Sequence, residues 1–134
     1  MKEHIISSII LLILDVVWLN VVMKKQYGRM IPQIQGSKMA LNYYSATLSY
    51  VFMIIGLNVF VIPHIDEKNL ITSSLKFGFT FGLILYGVYD FTAGAVLTNW
   101  DFRLALLDVL WGGVVFFLTC VLTFKISGLF RANK

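Results

Sequence analysis

Four runs of apolar residues, each long enough to cross a bilayer, constrain this chain more than any other feature: about residues 5–23, 40–62, 77–97 and 102–124. A spanning helix needs roughly 20 such residues, and within the hydrocarbon every backbone polar group must be satisfied inside its own segment. What remains outside the runs is a basic first connection, two short connections and a brief tail. Charged residues make up only 13% of the chain, about half the usual share of roughly 25%. A soluble protein of 134 residues could not cover its surface with that composition. The expected architecture is therefore all-α, one integral membrane bundle of four transmembrane helices occupying residues 1–134 as a single domain and crossing the membrane several times. The bilayer is then its first partner.

The net charge of +4 comes from residues at the ends of the apolar runs, where membrane helices place them, so it predicts no nucleic-acid partner. The first run is kept as a permanent span, because Asp15 interrupts it and no small-residue cleavage site follows. Cys120 is the only cysteine; it allows no internal disulfide and is expected to pack as a small apolar residue. Lys and Arg divide almost evenly between the two sides. The densest group, Lys24, Lys25, Arg29 and Lys38, follows the first run and puts both termini outside by the positive-inside rule, with insertion in both orientations as the alternative.

In order along the chain, the first run carries Asp15, Trp18 and Asn20, with Asp15, Trp18, Leu19 and Val22 on one helical face. Residues 24–39 hold Tyr27, Met30, Ile31, Pro32 and Ile34 among the basic side chains, which predicts a segment lying in the headgroup layer. The second run is polar in its first half and stops at Pro63; residues 64–69 read as a solvated turn. Gly78 and Gly82 in the third run form a small-xxx-small pair that permits close helix approach. Asp101 is placed to cap the fourth helix.

Asp15, Asp90 and Asp108 lie inside three different apolar runs. Carboxylates at such positions are costly and face the bundle interior. Counted from the side of the first and third connections at a rise of roughly 1.5 Å per residue, they lie about 12, 10 and 9 Å deep, in one layer. The short turn at residues 98–101 makes the last two helices antiparallel neighbours, so Asp90 and Asp108 are expected to face each other. Three carboxylates in a low-dielectric layer cannot all stay charged without a cation, and no Lys or Arg lies at that depth. Their neighbours are then protons, a bound cation, or donors drawn from Tyr86, Tyr89, Tyr43, Tyr44, Thr92, Trp18, Trp111 and Asn20. Neither His4 nor His64 falls near the layer, so no N/S metal site is expected, and a hard cation on carboxylates remains the metal alternative. No nucleophile–base spacing, phosphate loop or dinucleotide fingerprint is present, so neither a catalytic residue nor a cofactor is expected.

The segments Leu14-Asp-Val-Val-Trp-Leu19, Tyr27, Tyr86-Gly-Val-Tyr-Asp-Phe-Thr92, Asn99-Trp100 and Asp108-Val-Leu-Trp-Gly112 resemble, in order and over nearly the whole chain, the bacterial membrane proteins of domain-of-unknown-function family 2177. The resemblance implies a four-helix membrane protein and brings no activity with it. Ala93 and Gly94 stand where that family carries Asn-Leu, so any role of that asparagine falls to another group here. Nine-residue stretches beginning at Leu14 (LDVVWLNVV) and Leu107 (LDVLWGGVV) resemble each other, which fits parallel demands on two core helices or an inverted repeat.

These residues favour a proton- or cation-coupled transporter or ion channel built on the aspartate layer. Tyr86, Tyr89, Thr92 and Asn20 would hydrogen-bond around it, Trp18 and Trp111 would wall it, and protons, cations or a small polar solute would be the ligands. The alternatives are a membrane-embedded lipid-modifying enzyme or accessory protein, and a structural subunit whose carboxyls only glue helices. A lone four-helix unit is compatible with a homo-oligomer.

Overall fold

A computed structural model of the chain, describing residues 1–133, contains four long helices and, among those residues, no strand. They are α1 (Lys2–Gln35), α2 (Tyr43–His64), α3 (Glu67–Val96) and α4 (Phe102–Ala132), each long and apolar enough to cross a membrane. All four run beyond the apolar stretches at one end or both. Between Leu19 and Met23 the turns of α1 widen to π-helix, and the helix then continues through the basic segment to Gly36. Gly36 ends it in the left-handed region at φ 74°, its N–H donating to Pro32 O at 2.9 Å, a conformation that favours a residue without Cβ.

The basic segment forms the last third of α1, and it docks on the turn between α3 and α4. Met30 packs with Trp100 and Ala105, supported by Tyr27, Ile31, Ile34, Ala93 and Leu104. That turn is held from both sides. Asn99 supplies the positive φ of 60°, which asparagine tolerates, and Asp101 Oδ1 caps α4 by accepting from Arg103 N and Leu104 N. A Cβ at Gly94 would meet the rings of Phe102 and Trp100. The Ala93-Gly94 pair therefore serves the packing of this turn.

The most deeply buried helix is α4, and its apolar core with the other three includes Leu11, Leu57, Val61, Val115 and Phe116. Cys120 is buried beside Gly78 of α3. Further along, a Cβ at Gly82 would collide with the backbone carbonyl of Gly112, and one at Gly112 with the Tyr86 ring. The small residues of the third run thus let α3 and α4 cross nearly backbone to backbone. The second half of α2 packs into the core through Gly56, Leu57 and Val61, while its first half, with Tyr43 and Tyr44, stays exposed.

Candidate functional site: a layer of buried carboxyls

Asp15 and Trp18 are three residues apart on α1, as are Asp108 and Trp111 on α4, a spacing that puts each pair on one helical face. The two helices are antiparallel, and the pairs meet reciprocally. Trp111 Nε1 donates to Asp15 Oδ1 at 3.2 Å, and Trp18 Nε1 donates to Asp108 Oδ1 at a longer 3.4 Å. Between them the two indoles stack, with centroids 4.6 Å apart and planes 5° from parallel. The likeness of the stretches around Leu14 and Leu107 is therefore a mutual contact: each Asp-x-x-Trp supplies the acceptor and the donor that the other lacks.

Two further donors complete the shell of Asp15. Tyr86 OH donates to Oδ1 at 2.6 Å, and Tyr50 OH to Oδ2 at 2.9 Å. Tyr86 reaches across α4 because Gly112 has no side chain under its ring. Asp15 thus joins all four helices: it sits on α1 and takes hydrogen bonds from α2, α3 and α4. Charge-accepting oxygens held by neutral donors in a low-dielectric interior are strongly oriented.

Asp90 differs. It is 0% exposed, and neither of its oxygens has a hydrogen-bond donor among the described residues. The carboxyl of Asp108, itself 4% exposed, is its neighbour. Two carboxyls can bond directly only if one of them carries the proton. No Lys or Arg pairs with any of the three aspartates among the described residues, and no cluster there has the makeup of a metal site.

The remaining expected site residues divide. Trp18, Trp111 and Tyr86 belong to the cluster by direct hydrogen bonds. Tyr89 lines the cavity described below and meets the Trp100 ring edge-on. Thr92 is exposed on the outer face of α3, and Asn20, also exposed, turns back to its own helix, donating to Val16 O at 2.8 Å. Neither approaches the aspartates through any hydrogen bond. Tyr43 and Tyr44 stay outside the cluster as well, on the exposed half of α2. Tyr50 was the overlooked donor. Depth along α2 carries its signal, since seven residues past Tyr43 is about 10 Å, the depth of the aspartates.

A cavity of about 400 Å³ adjoins the layer. Leu19 and Tyr27 of α1, Ser49, Phe52 and Met53 of α2, and Leu85, Tyr86 and Tyr89 of α3 wall it, and Asp108 of α4 closes its inner end. Tyr27 belongs to the extension of α1, so nothing in the apolar runs marked it. The extension also covers the connection side of the layer.

Four helices long and apolar enough to cross a bilayer define a multi-pass integral membrane protein. The chain belongs to the predicted membrane protein family DUF2177, whose family model matches residues 1–125. No curated protein and no solved structure matches the chain.

Proposed function

We propose that Asp15, Asp90 and Asp108 form the proton- or cation-binding centre of a small coupled transporter. The observation that carries this reading is Asp90, fully buried, without a donor for either oxygen, and beside a second carboxyl. Helix glue would be satisfied, as Asp15 is; a carboxyl kept at the cost of burial with no donor among the described residues is one whose partner is supplied from outside. In this reading a proton bridges Asp90 and Asp108, or a cation displaces it. Asp15 holds the tyrosine and tryptophan donors in register, so that a change at Asp108 is felt by every helix through the stacked indoles.

The decisive experiment reconstitutes the protein in vesicles and follows proton or cation flux under an imposed pH gradient. Asp→Asn at each position keeps size and hydrogen bonding but removes the titratable charge. Flux should vanish or lose its pH dependence in each variant while insertion and folding stay normal. Asp108→Asn is the first to test, because Asp108 is the aspartate that lines the cavity. Unchanged pH-dependent flux in all three variants would refute the proposal and leave the carboxyls as packing contacts.

A second reading has one observation of its own. The cavity opens toward the bilayer between exposed residues of α2 and α3, as a lipid-modifying enzyme or accessory protein would require, and the basic extension of α1 could hold anionic headgroups. Lipid analysis of cells expressing the wild type and Asp108→Asn separates the two: a shift in lipid species without flux supports this reading.

A further inference from the structure

The mouth and the floor of the cavity make opposite chemical demands. At the mouth, Leu19, Ser49, Phe52 and Tyr89 are exposed. Tyr50, next to Ser49, donates to Asp15, so the mouth lies at the depth of the carboxyl layer, where the surroundings are hydrocarbon. A ligand passing there must be apolar over most of its surface. At the floor stands Asp108, with Asp90 behind it offering two oxygens that no donor among the described residues satisfies. No Lys or Arg lines the cavity. An anion would meet carboxyls and no positive charge. A hard metal ion would need about six to eight oxygen ligands, and the lining offers one carboxyl, Asp108, with the hydroxyls of Ser49, Tyr27, Tyr86 and Tyr89, of which Tyr86 is already committed to Asp15. A weakly hydrated organic cation needs no such set. Its charge is met by a carboxylate and by the faces of aromatic rings, and Tyr27, Tyr86, Tyr89 and Phe52 line the space between mouth and floor.

We propose that this cleft binds an amphiphilic organic cation, a protonated or quaternary amine on an apolar body, which enters from the bilayer and sets its positive centre against Asp108. The proposal rests on the carboxyl layer being the coupling centre and names the substrate class of that centre.

The test measures equilibrium binding of tetraphenylphosphonium and of tetraphenylborate, alike in shape and opposite in charge, to the protein in phosphatidylcholine nanodiscs, with empty discs subtracted. Saturable binding is expected for the phosphonium and none for the borate. Asp108→Asn should weaken the phosphonium about tenfold or more, the loss of one partly desolvated charge contact. Tyr89→Leu, on the exposed rim and with no hydrogen bond to lose, should weaken it several-fold and decides the matter should Asp108→Asn not fold. Asp66→Asn, in the turn between α2 and α3, should leave it unchanged. Equal binding of both ions, no saturable binding of the phosphonium, or full phosphonium affinity in folded Asp108→Asn or in Tyr89→Leu would each overturn the substrate class. If the phosphonium fails to bind while Asp→Asn variants still abolish flux, the substrate class falls and the coupling centre stands. If it binds in an Asp108-dependent way while flux ignores all three aspartates, the coupling centre falls and the binding site stands.

Discussion

The bundle gathers polar groups at two levels, a largely exposed one and a buried one, and they are finished differently. Near the terminal end, Arg131 donates to Glu3 at 2.7 Å and to both oxygens of Glu67 at 2.9 and 3.0 Å, and Ser127 adds a 2.6 Å bond to Glu3. Beside it, Asn58 of α2 pairs with the His4 ring at 2.8 Å and donates to Ser8 at 3.0 Å. Every acid there has a base, and the amide is used on both sides. At the carboxyl layer there are three acids and no base. Asp15 is satisfied by neutral donors, and Asp90 by nothing except the neighbouring acid. A fold that needed polar contacts only to join helices could have used the first solution twice. The difference is that the terminal cluster completes itself on folding, whereas the layer leaves both Asp90 oxygens without a donor among the described residues.

The comparison can be broken first at the helix crossing. Gly82→Ala places a Cβ against the Gly112 carbonyl, where backbone must move. It should cost about 1–3 kcal/mol as overpacking and tilt Tyr86 off Asp15, lowering the melting temperature in detergent. Gly128→Ala, at the terminal end, has nothing within 4 Å of the new Cβ and should be neutral or slightly stabilising. Equal loss in both would mean that the close crossing does not hold the layer.

Tyr86→Phe comes next. It removes the shortest bond to Asp15 and strands part of a buried acceptor, a loss of about 1–3 kcal/mol. Tyr50→Phe should cost less, since the Tyr50 bond to Asp15 is longer, 2.9 Å against 2.6 Å. Denaturation of the two variants side by side checks the order, and a larger effect at Tyr50 would contradict the account of Asp15 as centred on the α3–α4 crossing.

Asp90→Leu sharpens the contrast, because removing one partner of a true buried ion pair costs about 3–5 kcal/mol. With no cation to strand, it should cost under about 1 kcal/mol while abolishing any coupled flux. A loss in the ion-pair range would show that Asp90 has a positive partner after all.

The smallest effect is expected in the α2–α3 turn. The side chain of Asn69, and then the Lys68 N–H, hold the Asp66 carboxyl below the ordinary carboxylate range. A depressed folded value means that the contribution is complete above the unfolded value and disappears as pH falls through the folded one. Acid should therefore loosen this turn only below about pH 4, and Asp66→Asn should remove that step from amide exchange measured against pH. The turn had read as merely solvated; Glu67 in it carries the salt bridge to Arg131.

The four helices were legible in the sequence because crossing hydrocarbon is a local requirement, met by composition and length within each segment. So was the layer: helical rise converts sequence position into depth, and depth brought Asp15, Asp90 and Asp108 to one level before any packing was known. The cap at Asp101 and the close approach at Gly82 followed from chemistry a few residues wide. Rotation about the helix axes was another matter. It decides whether Tyr50 or Tyr43 points inward and turns Thr92 and Asn20 outward, and it depends on neighbours far along the chain. The π turn at Leu19–Met23, which rotates everything after it by roughly 100°, left no mark in the apolar pattern. Only the packed structure made the two Asp-x-x-Trp segments each other's partners, drew the extension of α1 over the layer, and left Asp90 without a donor. Those are relations between helices, and a bilayer that treats every apolar face alike imposes no local pattern from which they could be read.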